Sequence, residues 1–193
     1  MKTTKKKPFD NLTKAEKRVS IAKDVLFQLE TNSVVPTSGN FVELFLEFQF
    51  GSDISEGKFF SELVADSNEC RVCALGALMI SQLNVNGDVS MSELDGSPIC
   101  NNRFGITPFN GFKFGDYIKK YFDESQLQLI EIAYELGNGL FTEGDILCGV
   151  EDEIYSVYIE SKAVKFGKRY KNLKNRMKAI MNNIIENNGE FAP

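Results

Sequence analysis

The sequence predicts a mainly α, or α+β, single domain in which five or six helices pack around one buried helix. Three observations predict it: residues 70–83 are apolar on every side, several other segments repeat apolar residues at helical spacing, and only residues 41–50 and 85–100 have the character of short strands. With 193 residues, 42% of them hydrophobic, the chain is long enough to bury a core without disulfides or metal. We therefore expect a flexible basic tail at residues 1–10 and one globular domain at residues 11–193.

The predicted central helix, residues 70–83, contains almost no polar side chain, and a helix that is apolar all round must be buried. At 1.5 Å per residue it would span about 21 Å, so the other elements have to pack around it. Its Cys70-x-x-Cys73 spacing supplies half of a zinc site, but Cys100 and Cys148 are isolated from each other and form no second pair. We therefore expect no cofactor and reduced thiols that pack in the core, with zinc binding and redox chemistry as the alternatives.

The flanking elements follow from caps and periodicity. Thr13 and Glu16 have the spacing of a capping box ahead of an apolar helical stripe, which predicts the first helix. Residues 41–50 alternate apolar and polar side chains, which favours a strand. The alternation breaks once, so a helix is the alternative. Asp123 and Gln126 repeat the capping-box spacing ahead of another helical stripe. Further helices are predicted at residues 59–64, 154–170 and 173–187.

Charge is unevenly distributed, although the net formal charge is only −5. Residues 121–161 contain ten acidic side chains and no Lys or Arg, whereas residues 162–178 contain eight basic side chains and no acid. We expect one acidic and one basic surface, or internal pairing between them. A pI near 5.0 argues against nucleic-acid binding, because the rest of the surface would repel phosphate. Glu131 and Glu135 share one helix face, which we expect to be solvated.

Two features that the sequence lacks exclude whole classes of function. The chain has no histidine, which excludes Ser-His-Asp and Cys-His catalysis and removes the commonest zinc ligand. No apolar run reaches the roughly eighteen residues of a membrane span, and the basic first residues lead into no apolar stretch of signal-peptide type. We therefore expect a cytosolic protein without a membrane partner.

Phenylalanine and glycine alternate within residues 101–115, a composition unlike that of ordinary loops. Phe faces stack on nucleobases, glycine lets backbone amides approach phosphate, and Arg or Lys neutralises phosphate charge. No phosphate-loop or dinucleotide fingerprint accompanies them. The segment predicts a ligand surface, with a loop packed back on the core as the alternative. Its expected contacts are Arg103, Phe104, Phe109, Phe112 and Lys113.

Three stretches of the chain resemble a group of small uncharacterised proteins of tailed bacteriophages and prophages. They are residues 18–26, residues 70–78 with the pattern Cys-Arg-Val-Cys-Ala-Leu-Gly-Ala-Leu, and residues 184–191 with the pattern Ile-Ile-Glu-Asn-Asn-Gly-Glu-Phe. The resemblance runs in order from the first helix to the last. It implies an accessory protein of a phage in the cytoplasm of the bacterial host, and it transfers no catalytic residue.

These observations lead to one functional hypothesis and two alternatives. The missing catalytic residue types and the aromatic, basic-flanked segment favour a non-catalytic phage protein that sequesters a small nucleotide-derived molecule of host immune signalling. The first alternative is an inhibitor that binds a host defence protein through the acidic segment or the basic last helices. The second is a hydrolase that depends on carboxylates or metal. The sequence is also compatible with a homo-oligomer.

Overall fold

The computed structural model describes residues 8–46, 60–86, 97–100, 103–106, 117–136 and 153–193. Predictions about residues 1–7, 47–59, 87–96, 101–102, 107–116 and 137–152 therefore lie outside the described residues. The described fold consists chiefly of six helices and a five-stranded sheet, which confirms the predicted helical architecture with short strands. The helices are α1 Lys14–Thr31, α2 Phe60–Ala65, α3 Ala74–Asn86, α4 Glu124–Glu135, α5 Glu153–Lys168 and α6 Leu173–Glu186.

Helix α1 begins as the sequence predicts. Thr13 Oγ1 accepts a hydrogen bond from Glu16 N at 3.2 Å, and Glu16 Oε2 accepts one from Thr13 N at 2.8 Å, which completes the capping box. The sequence also predicts a capping box at the start of α4, but none forms there, because the Asp123 side chain makes no capping hydrogen bond. It pairs with Lys14 instead, and this hydrogen bond lowers the pKa of Asp123. The carboxylate thus joins two helices.

The sheet contains β1 Val35–Pro36, β2 Val42–Leu46, β3 Ser67–Val72, β4 Ser97–Cys100 and β5 Arg103–Ile106. The strands lie in the order β1-β3-β2-β5-β4, in which β1 is parallel to β3 and the other pairs are antiparallel. β2 and β4 confirm the short strands predicted within residues 41–50 and 85–100. Val42 and Leu44 are fully buried, so their side of the sheet is its core face.

The buried central helix is confirmed, but it starts later than predicted. Residues 70–72 end strand β3, where Cys70 pairs with Leu44, and the helix begins at Ala74. The boundary was wrong because a short apolar run has no periodicity that separates a buried strand from a buried helix. α3 is buried over its first ten residues. Cys70 and Cys73 are buried and free, and burial raises the pKa of Cys70 to about 12.

Helix α3 lies very close to the start of β2. A Cβ atom at Gly76 would lie 1.7 Å from Phe41 O, so only glycine fits there. The Cys73 N–H donates to the same carbonyl at 3.1 Å, which orients the turn from β3 into α3. α1 packs on α3 and α6, while α4 packs on α3, α5 and α6. Among the described residues, no helix has the length and apolar character needed to cross a membrane.

Candidate ligand-binding groove

An open groove of about 450 Å³ lies between the C-terminal part of α5 and the outer side of α6. α5 packs chiefly on α4, whereas α6 packs chiefly on α1. The groove is aromatic on its α5 side and mainly polar on its α6 side. Its lining residues are Phe166, Tyr170, Asn175, Lys178, Ala179, Asn182, Asn183 and Glu186.

The α6 side of the groove is a single stripe of that helix. Its six residues recur at intervals of three and four positions, which places them on one helix face. The opposite stripe faces the core, and its fully buried residues are Met177, Ile180, Met181 and Ile184. α6 is therefore amphipathic, and its outer stripe is rich in amide side chains.

The aromatic side of the groove is formed by Phe166, in the last turn of α5, and Tyr170, just after the end of that helix. Their ring centroids are 5.6 Å apart and their planes are tilted. Phe166 is buried and meets Phe191 edge to face at 5.3 Å, whereas Tyr170 is half-buried. The guanidinium carbon of Arg169 lies 5.7 Å from the centre of the Phe166 ring. Tyr170 is thus the ring that a ligand can reach more easily.

The C-terminal segment holds one lining residue in place. Asn183 Nδ2 donates to Ala192 O at 2.9 Å, and Asn183 Oδ1 accepts from Ala192 N at 2.8 Å. The neighbouring Phe191 N donates to Gln126 Oε1 at 2.6 Å, which ties the same segment to α4. Because both ends of the Asn183 amide are bonded to backbone, this side chain is not free to bind a ligand.

Four polar side chains of the outer stripe remain available. Asn175, Asn182 and Glu186 are exposed, and Lys178 is half-buried. Within the part of the chain that the structure describes, none of the four side chains forms a hydrogen bond or an ion pair. An amide both donates and accepts, an ammonium group only donates, and a carboxylate only accepts. The stripe therefore offers donors and acceptors together.

The basic segment, residues 162–178, has both a structural and a solvent-facing part. Arg176 is buried and donates to three backbone oxygens at 2.6 to 3.2 Å, which fastens the start of α6 to α4 and to the end of α5. These oxygens belong to Tyr134, Gly167 and Tyr170. Other members are exposed and form no ion pair with a described residue; they include Lys165, Lys168 and Lys171. A basic surface is therefore present beside the groove.

The prediction that Glu131 is solvated is wrong. Its exposed fraction is 6%, because α4 packs on three other helices and has little free surface. Burial, with a smaller contribution from Glu135, raises the pKa of Glu131 to about 8. Glu135 is half-buried, its pKa is also raised by burial, and its Oε1 accepts from Gly39 N at 3.4 Å. The sequence does indicate this burial, because Glu131 lies at helical spacing between Leu127 and Tyr134, which are both buried.

A metal role for these carboxylates has no structural support in the described ranges. Those ranges contain no group of three or more His, Cys, Asp or Glu residues placed to hold a metal ion. Cys73 is buried near the acidic face of α4, and its pKa is raised mainly by burial and further by Glu131 and Glu135. This environment favours the neutral thiol, which is the unreactive form of cysteine.

Two of the five predicted contacts lie on strand β5. Arg103 pairs with Phe45 and Phe104 with Leu44, so the two positions lie on opposite faces of the sheet. On the face of Phe45, the guanidinium carbon of Arg71 lies 4.5 Å from the centre of the Phe45 ring. The other three contacts, Phe109, Phe112 and Lys113, lie outside the described residues. As a set, the five contacts stay a prediction.

The sequence prediction did not include the groove between α5 and α6. A signal exists, because Asn and Lys recur at helical spacing opposite the apolar stripe of residues 173–187. A polar stripe of this kind usually faces open water. Whether it borders a groove depends on how the neighbouring helix is placed, which no residue pattern specifies.

Comparison with known proteins adds no assignment. No protein-family model matches the chain, and no curated protein or solved structure is significantly similar to it.

Proposed function

We propose that this protein binds a small nucleotide-derived anion in the groove between α5 and α6 and holds it without transforming it. The composition of the groove carries the proposal: one accessible aromatic ring, two open amide side chains and one lysine line a space of about 450 Å³. Ligand pockets commonly enclose about 300 to 1,000 Å³. A ligand of nucleotide size therefore matches the groove.

Each part of a nucleotide has a residue that suits it. The Tyr170 ring can stack on a base. Asn175 and Asn182 donate and accept hydrogen bonds, as the edges of bases do. Lys178 supplies a positive charge for phosphate. The exposed lysines of residues 162–178 raise the local concentration of anions and so favour their capture.

The residue types in the groove favour binding over catalysis. Within the described ranges its titratable lining residues are Tyr170, Lys178 and Glu186, which supply one carboxylate and therefore no pair of carboxylic acid and carboxylate base. The chain also has no histidine, the usual general base near neutral pH. Together with the resemblance to phage proteins, this supports a counter-defence role in the cytoplasm of an infected bacterium. The protein would lower the free concentration of a nucleotide-derived immune signal.

Thermal-shift measurements and calorimetric titrations with cyclic nucleotides, dinucleotides and ADP-ribose derivatives test the proposal. A ligand present at about 100 times its Kd stabilises the folded state by roughly 2.7 kcal/mol, so the melting temperature must rise. The bound ligand should be recovered intact by chromatography. A panel without any binding nucleotide overturns the proposal, and recovery of a product replaces sequestration with catalysis.

Single substitutions separate the groove from the predicted Phe/Gly segment. Lys178→Ala and Asn182→Ala should weaken binding, because each removes an open polar group from the lining. Lys23→Ala removes an exposed charge on α1, outside both the lining and the basic segment, and serves as the matched control. Arg103→Ala tests the other surface. If it weakens binding while the groove variants do not, the ligand binds at the sheet.

A further inference from the structure

The two oppositely charged residues of the groove lie at different places along it. Lys178 lies toward the turn between α5 and α6, and Glu186 is the last residue of α6. They are just over two helical turns apart, which corresponds to about 12 Å along the axis. Neither is neutralised by an ion pair among the described residues. The groove therefore has a positive part and a negative end.

We infer that the ligand is a nucleoside diphosphate that carries a second, diol-bearing sugar, with its phosphates at Lys178 and the hydroxyls of that sugar at Glu186. The inference rests on the proposed function and specifies its ligand. A carboxylate accepts hydrogen bonds from sugar hydroxyls, and acidic residues recognise ribose in this way in dinucleotide sites. With the base at Tyr170 and Asn175, the order of base, phosphates and sugar follows the order of the lining residues.

Glu186 disfavours ligands that are anionic at both ends. A cyclic dinucleotide has two phosphates on opposite sides of its ring, and an oligonucleotide has one phosphate per linkage. When one phosphate binds Lys178, the other is left near Glu186, and like charges repel each other. Among the residues that the structure describes, the lining contains no second lysine or arginine that would compensate for this repulsion. A mononucleotide avoids the repulsion but leaves Glu186 unused.

Isothermal titration of the full chain with ADP-ribose, ADP and cyclic di-AMP tests the inference. We expect ADP-ribose to bind about tenfold more tightly than ADP, because hydrogen bonds to a charged acceptor are among the stronger ones. Cyclic di-AMP should bind most weakly. Glu186→Gln should remove most of the advantage of ADP-ribose and change the affinity for ADP by less than about twofold. Glu30→Gln, at an exposed position of α1, is the matched control and should change neither affinity.

The outcomes distinguish the inference from the proposed function. Equal affinities for ADP and ADP-ribose, or a ratio that Glu186→Gln leaves unchanged, overturn the inference while nucleotide binding stands. The same holds if cyclic di-AMP binds most tightly and Glu186→Gln strengthens its binding. If none of the three probes binds, the inference is overturned, and the wider nucleotide panel decides the proposed function. Circular dichroism confirms that each variant is folded before titration.

Discussion

Helices α4 and α6 both carry polar residues at helical spacing, but a polar residue of α4 is buried in the core and two polar residues of α6 are exposed to solvent. On α4, Glu131 lies inside the apolar stripe and is buried, whereas Asn175 and Asn182 of α6 lie on a separate stripe and are exposed. α4 packs against α3, α5 and α6, and α6 packs chiefly against α1 and also against α4 and β1. The comparison shows that the helix stripe on which a polar side chain lies decides whether it is solvated: Glu131 shares the packed apolar stripe of α4, whereas the two asparagines lie outside the apolar stripe of α6.

A second difference concerns how each helix accommodates a buried ionisable group. Arg176 of α6 and Glu131 of α4 are similarly buried, with exposed fractions of 7% and 6%. Arg176 donates to three backbone oxygens, so its charge is compensated by hydrogen bonds. For Glu131 the effect of burial dominates, and the raised pKa favours its neutral form. The two helices therefore respond differently to mutation and to pH.

The largest expected effect is that of Arg176→Ala. This change removes the guanidinium donor from three backbone oxygens, of which Gly167 O keeps the Tyr170 N–H, and we expect the free energy of unfolding to fall by about 3 to 5 kcal/mol. Urea denaturation followed by circular dichroism measures it. Lys174→Ala is the control, because Lys174 makes a single hydrogen bond, to Asn32, and should lose less than about 1 kcal/mol. Similar losses in both variants would contradict the structural role of Arg176.

An intermediate effect is expected for Glu131→Gln, and it depends on pH. Between about pH 4.5 and 8 the folded state keeps a proton that the unfolded state releases. Stability therefore falls as pH rises through this window, by up to about 1.4 kcal/mol per pH unit. Gln has the same shape but no charge, so the variant should be more stable than the wild type at pH 8 by up to about 4 kcal/mol.

The measurement for Glu131→Gln is a series of urea denaturation curves between pH 5 and pH 9. The wild type should lose stability across the series, and the variant should show a flatter profile. Glu30→Gln, at an exposed position, should keep the wild-type slope. A Glu131→Gln profile with that same slope would show that Glu131 is ionised in the folded protein across the whole range.

The smallest expected effect is that of Asn182→Leu on the outer stripe of α6. Asn182 is exposed and its side chain bonds no described residue, so the free energy of unfolding should change by less than about 0.5 kcal/mol. Asn183→Leu is the adjacent comparison. It breaks both hydrogen bonds to Ala192 and should lose about 1 to 2 kcal/mol. Equal effects of the two variants would mean that Asn183 does not anchor the C-terminal segment.

Local signals in the sequence predicted most of the helices. The capping box of Thr13 and Glu16 identified the start of α1, and apolar residues at helical spacing identified α4 and α6. The sheet was predicted less completely. β1 has only two residues, and β3 was merged with the central helix, because strand pairing depends on partners distant in the sequence.

The sequence by itself determined that residues 74–83 are buried, that α6 is amphipathic, and that these 193 residues include no histidine. These properties depend on residue type and on spacing along the chain. Only the tertiary structure decided that Cys70 belongs to a strand, that Glu131 is buried, and that the amide stripe of α6 borders a groove. The reason is physical: pairing, burial and concavity depend on how separate elements are placed in space, and local spacing does not specify that placement.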